Sequence, residues 1–163
     1  MFIVKFNKRC CFKFGILNST IPSSTVFNLG TDSGPNRSTG TYVAYCFAPV
    51  AGYSAFGSYT GNGSTDGPFV YTGFRPRYIL LKGTDASVRR WCIVDTARST
   101  YNTSGLRIYA ELSNAEDVGG GSAYDIVSNG FKLRDADGNF NASGVTYIYA
   151  AFAESPFKYS LAR

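Results

Sequence analysis

The chain has no histidine, and its 163 residues include one tryptophan and one methionine. Without an imidazole, Ser-His-Asp and Cys-His nucleophile arrangements and the usual His-bearing zinc sites are excluded. Glutamate is nearly as scarce, occurring at 111, 116 and 154 alone. For two-carboxylate glycoside hydrolysis the pool is Asp66, Asp95, Glu111, Glu116 and Glu154, and spacing singles out no pair. No run of about 18 apolar residues is present, so no membrane-inserted helix is expected. The opening Met1 to Phe14 is interrupted by charge, and no apolar run of about 7 to 15 residues follows, so it does not read as a secretion signal. Of the four cysteines, Cys10 and Cys11 are adjacent, and Cys46 and Cys92 lie in apolar runs. Buried thiols are expected in preference to disulfides or metal ligands.

What the chain has in abundance is 13 Phe, 12 Tyr and 18 Gly, the composition of strands joined by tight turns. The net charge of +5 is local: Lys5, Lys8, Arg9 and Lys13 precede any acid, and the 12 remaining basic residues balance 11 acidic ones. Basic residues are scattered through the body and form no stripe, so no nucleic-acid partner is expected.

Period-two alternation, broken about every 8 to 12 residues by Gly, Asn, Asp, Pro or Ser, runs along the whole chain. It predicts strands near 2–6, 25–29, 41–48, 53–59, 68–72, 77–82, 90–95, 106–109, 124–127, 130–133, 146–153 and 157–161. Helix is confined to two candidate turns, 95–101 with Asp95 as its cap and 114–117. Asn129-Gly130 is the strongest hairpin signal, and the turns 59–63 and 135–139 place Gly or Asn where a positive φ is expected. Gly61, Asn62 and Gly63 precede no helix and lack the Lys and Ser/Thr of a phosphate loop. Five Asn-x-Ser/Thr sequons, at Asn18, Asn36, Asn62, Asn102 and Asn141, follow from turn composition.

The chain also repeats itself. Ser24, Phe27, Leu29, Gly34 and Gly40 recur as Ser128, Phe131, Leu133, Gly138 and Gly144. After one inserted residue, Val145, the run Thr41 to Ala48 is echoed by Thr146 to Ala153. A separation of about a hundred residues suits a duplicated β-unit better than a solenoid turn. The expected organisation is one all-β domain, a β-sandwich of jelly-roll or lectin-like type built from one and a half copies of the unit. Residues 1–15 form a basic N-terminal segment and 16–163 the sandwich, with the half repeat at 16–56 and the full repeat at 57–163. The missing half leaves edges to be covered, by another subunit with help from the alternating segment Phe2, Val4, Lys5, Phe6, Lys8, Arg9. That segment is expected to dock on an acidic partner surface or add to a sheet edge.

Phrases such as Gly57 to Gly63, Tyr71-Thr-Gly-Phe-Arg-Pro76, Tyr78 to Lys82, Asp95-Thr-Ala-Arg98, Leu112 to Glu116, Ser128 to Leu133, Asn141 to Gly144 and Tyr147 to Glu154 carry a family resemblance. Over about residues 16 to 163 the chain resembles repeat units of large virion proteins of tailed bacteriophages, above all marine and cyanobacterial ones. The resemblance implies β-sandwich modules of tail fibres, tail spikes or other particle surfaces, and it carries no catalytic residues. It implies a virion-surface location, assembly with itself and with other virion proteins, and attachment to a host-surface glycan. Capsid decoration, filament formation and polysaccharide depolymerisation are the alternatives.

Trp91, Arg98, Tyr101 and Asn102 are the candidate ligand-facing residues, because loop Arg, Tyr and Asn can stack on and hydrogen-bond a sugar. Core burial competes for Trp91, and a turn-anchoring pair with Asp95 competes for Arg98. Asp135, Asp137 and Asn139 alternate oxygen ligands in the manner of a calcium loop, but the glycine is misplaced and no distal Glu completes it. A plain turn is the stronger reading there, and no cofactor is expected.

Overall fold

The computed structural model describes residues 2–4, 23–31, 33–34, 36–85, 89–117 and 123–155. Contacts divide the chain into two units, Met1–Ala48 and Pro49–Arg163.

In the first unit, β1 (Phe2–Val4) pairs in parallel with β2 (Tyr45–Phe47). Residues 25–29, expected as a strand, are irregular, and of 41–48 only 45–47 is strand. Local bonds shape the connection: Asn36 Nδ2 donates to Gly30 O at 2.7 Å, and the Arg37 N–H donates to the Tyr42 hydroxyl at 3.0 Å. The remaining N-terminal candidates, Lys5, Phe6, Lys8 and Arg9, lie outside the described residues.

The second unit is almost wholly β. Its strands are β3 (Ser54–Thr60), β4 (Phe69–Tyr71), β5 (Pro76–Gly83), β6 (Cys92–Asp95), β7 (Ile108–Tyr109), β8 (Tyr124–Val127), β9 (Gly130–Leu133) and β10 (Thr146–Ala153). The boundary drawn from the sequence after residue 56 runs through β3. A five-stranded antiparallel sheet has the order β3-β10-β5-β6-β7, and a three-stranded antiparallel sheet has the order β4-β9-β8. Alternation decides which side chains meet between them. Tyr59, Ile79, Leu81, Cys92, Val94, Tyr147, Tyr149 and Ala151 from the larger sheet share one core with Val70, Tyr124, Ile126, Phe131 and Leu133 from the smaller. Phe131 sits edge-on between Tyr59 and Tyr149, at 6.2 and 5.7 Å between ring centroids.

The hairpin β8–β9 forms, but its two loop residues are Ser128 and Asn129, because Val127 pairs with Gly130. Gly130 is therefore a strand residue. A Cβ there would lie 2.1 Å from Val70 O, so its role is close approach of β9 to β4 and not positive φ. The helical turn lies elsewhere than expected: 95–101 is a non-helical turn and 114–117 is irregular up to a bridge at Asp117, whereas α1 spans Gly138–Asn141. Asp137 caps it, accepting the Asn139 N–H at 2.8 Å. The segment 135–139, expected as a hairpin turn, is thus the entry to α1. Residues 157–161, expected as a strand, lie outside the described residues.

Candidate functional site

The loop after β6 is braced by ion pairs and hydrogen bonds. Asp95 ends β6, and its Oδ1 accepts the N–H groups of Ala97 and Arg98, both at 2.9 Å. Its Oδ2 takes Arg98 Nε at 2.5 Å, and Arg98 Nη1 continues to Glu116. Burial works against an ionised Asp95, but the hydrogen bonds and charge of Arg98 outweigh it and hold the carboxyl below its usual range. Arg98 is thus committed to bracing this turn, the competing reading of that residue.

Asn102 does the work of a strand residue. Its Nδ2 donates to Ile126 O and its Oδ1 accepts the Ile126 N–H, both at 2.9 Å. Two residues on, Ser104 exchanges backbone bonds with Tyr124 at 2.7 and 3.1 Å. Residues 102–104 therefore close the β8 edge of the smaller sheet, where an open ladder would invite foreign strands. Arg75 reaches the same place, donating Nη1 to Ile126 O at 2.7 Å and Nε to Glu154 at 2.8 Å. Arg77 adds a 3.6 Å pair to Glu154. Between the two anchors stands Tyr101, 85 % exposed.

Loop 95–104, the start of β5 and the end of β10 thus converge at one end of the unit, joined also by Thr96 N to Arg77 O and Glu154 N to Arg75 O, each 2.9 Å. Of the four expected ligand residues, the structure brings Arg98, Tyr101 and Asn102 together and leaves Trp91 out. Trp91 precedes β6 at its far end, about 14 Å along the strand from Asp95, and its N–H donates to Glu111. Arg75, Arg77 and Glu154 were not legible as members: their partners lie about fifty to eighty positions away, at spacings that carry no local signal.

A second charged cluster is internal. Arg107, 5 % exposed, bonds Asp117 at 3.2 Å and Asp137 at 3.4 Å, and its guanidinium lies 5.0 Å from the Phe140 ring centroid. This accounts for the calcium-like triplet. Asp137 is engaged by Arg107 and by Asn139, and Asp135 Oδ1 accepts the Asp137 N–H at 3.0 Å. Both Asp137 oxygens and Asp135 Oδ1 are occupied by donors, and the neighbouring guanidinium repels a cation. Asn141, a sequon residue, is fully buried: its Oδ1 accepts from Asn62 N at 3.0 Å and its Nδ2 donates to Ser64 O and Asp135 O at 2.8 Å.

The pool of carboxylates is similarly committed. Asp66 pairs with Lys132 at 2.8 Å and Arg134 at 3.6 Å, and the Lys132 hydrogen bond and charge hold its carboxyl low. Glu111 caps the Trp91 N–H, Glu116 pairs with Arg98, and Glu154 joins Arg75 to Arg77. A general acid needs a carboxyl pushed up by burial or a neighbouring anion, whereas Asp66 and Asp95 move the other way.

The chain belongs to the family described as a domain of unknown function, DUF7483, whose model matches residues 7–156. No curated protein and no solved structure matches it.

Proposed function

We propose that this DUF7483 chain is a non-catalytic β-sandwich module, jelly-roll or lectin-like in type, of a bacteriophage particle surface. It assembles with itself and with other virion proteins and attaches to a host-surface glycan. The observation that carries the attachment role is Tyr101, an almost fully exposed ring on a loop pinned on one side by the Arg98 ion pairs and on the other by the Asn102 clamp on Ile126. An aromatic ring held this way offers a stacking face to a sugar with little conformational entropy left to lose on binding. Arg75, Arg77 and Glu154 beside it offer donors and acceptors for hydroxyl groups. The engagement of the carboxylate pool, Asp66, Asp95, Glu116 and Glu154 in ion pairs and Glu111 on the Trp91 N–H, favours binding over hydrolysis.

The test is binding of the purified chain to immobilised cell-envelope polysaccharides, alongside a Tyr101→Ala variant. A loss of about tenfold or more on removing the ring is expected. Equal binding by both proteins would sink the assigned site, and release of reducing sugar ends by the wild type would sink the non-catalytic reading. Labelled antibody on intact particles tests the location.

A further inference from the structure

β4 is an edge strand of the smaller sheet, and its bonding phase settles which groups it shows to the outside. Leu133 N donates to Pro68 O at 3.1 Å and Thr72 N to Asn129 O at 3.0 Å, while Val70 stands opposite Phe131. Residues 68, 70 and 72 therefore turn their backbone groups toward β9, and Phe69 and Tyr71 turn theirs away from it. Among the described residues, nothing bonds the outward N–H and C=O of either. Their side chains are open as well, Phe69 47 % and Tyr71 67 % exposed. The opposite edge of the same sheet, β8, is closed by residues 102–104. Native edges are commonly paired, covered or charged, and β4, reading Phe-Val-Tyr, carries no charge. Nor does Pro68 guard it. The N–H that proline lacks would have faced β9, where Gly67 N donates to Leu133 O at 3.1 Å instead.

We propose that β4 is a self-pairing edge: two copies of the chain join β4 to β4, antiparallel, about a two-fold axis through Val70. The two three-stranded sheets then become one continuous sheet. The open segment is its own complement. With the axis at Val70, Phe69 of one copy stands opposite Tyr71 of the other, and each such pair exchanges both N–H···O bonds. Every outward group of both strands is satisfied, and the facing rings form cross-strand aromatic pairs on the outer surface. A longer foreign strand gains nothing over a second copy, because Gly67 N and Gly73 N turn back to bond Leu133 O and Asn129 O. The seam itself is uncharged, so no like charges are brought face to face. The contact is small, and it belongs with the weak interfaces below about 1,200 Å². This deepens the self-assembly part of the proposed function by naming its surface, on the edge opposite the loop residues 102–104.

Sedimentation of the full chain over a concentration series up to about 1 mM tests the proposal. The mass should rise from 17.7 kDa toward twice that value. Tyr71→Pro removes an outward N–H and no ladder bond to β9, so far-UV circular dichroism should be unchanged while pairing weakens at least tenfold. Tyr71→Lys, which sets a charge opposite Phe69, should weaken pairing about tenfold. Tyr101→Ala should leave it intact. Should Tyr71→Pro fail to fold, amide hydrogen exchange of the wild type replaces it. Phe69 and Tyr71 should gain protection as concentration rises, and Val70, already bonded to β9, should not. A single-chain mass throughout, pairing untouched by both Tyr71 variants, or protection of Phe69 and Tyr71 independent of concentration would each overturn the proposal. Pairing that survives in Tyr71→Pro sinks this surface and leaves self-assembly standing. The attachment reading is separated by polysaccharide binding of Tyr71→Pro, which should match the wild type.

Discussion

Residues 24–48 and 128–153 share a sequence pattern and have opposite fates. Tyr147 is 0 % exposed, and Tyr42, its aligned counterpart, 45 %. Leu133 is buried where Leu29 is exposed, and Ala151 where Cys46 is exposed. What the two stretches keep in common is local. The Tyr42 hydroxyl accepts the N–H of Arg37, and the Tyr147 hydroxyl accepts the N–H of Ala142, in each case five residues upstream. What differs is the packing of the second stretch into the shared core. Gly130, which lets β9 approach β4, aligns with Val26; Phe140 and the buried Asn141 clamp align with Asn36 and Arg37; Tyr149 aligns with Ala44. The shared residues suffice for the turn and its tyrosine latch. The residues that anchor the turn between the two sheets are present in the second stretch only.

The comparison can be pressed hardest through its thiols. Cys92 is fully buried, and burial pushes its thiol up to about 11, so labelling must wait for opening of the second unit. Cys46 should react at once, and Cys92 about 1,000-fold or more slowly, as read by mass spectrometry of the labelled peptides. Matching rates would erase the distinction between the regions.

Truncating the two tyrosines separates them energetically. Tyr147→Ala removes a buried ring stacked on Tyr59 and a hydroxyl bonded to Gly138 O and Ala142 N. It should cost about 3–5 kcal/mol, seen as a lower urea midpoint in the fluorescence of Trp91. Tyr42→Ala should stay within about 1 kcal/mol. Exchanging the aligned strand residues is milder. Gly130→Val forces β9 from β4 and should cost about 2–3 kcal/mol, while Val26→Gly should leave that midpoint within about 0.5 kcal/mol. A tolerated valine at 130 would mean that the close approach is not what distinguishes the two stretches.

The smallest effect concerns the brace at Asp95. Its carboxyl is lowered in the folded state, so it contributes stability above its unfolded pKa, and that contribution is lost as pH falls through the lower folded value. Asp95→Asn should cost about 1 kcal/mol at neutral pH and flatten the stability profile below about pH 4. An acid limb as steep as that of the wild type would place the pH sensitivity elsewhere.

Alternation located the strands of the second unit well: β3, β5, β8, β9 and β10 each lie within a residue or two of the expected spans. It failed at 25–29, where Phe27 and Leu29 have the right period, because pairing is decided by neighbours that period does not report. The helix at 138–141 escaped because four residues, beginning with a glycine, give no 3.6-residue pattern, although Asp137 is a recognisable cap. In the loop after β6, the Asp95–Arg98 anchor could be read from a spacing of three. The Asn102 clamp could not, because its meaning depends on Ile126, and Arg107 reads as a surface basic residue until Phe140, Asp117 and Asp137 close around it.

The core is unusual in being built so largely from phenols. Tyr59, Tyr124, Tyr147 and Tyr149 all lie within it, and burial pushes each hydroxyl above its ordinary value. Tyr109, beside Arg107, is pushed up to about 12, again chiefly by burial. Such groups stay protonated in the folded chain and lose their protons once it opens, so stability is intact below about pH 10 and declines above it. In an alkaline titration followed by phenolate absorbance, the core tyrosines should ionise in one abrupt step together with the loss of tertiary structure, so that the same rings that fill the interior also report when it opens.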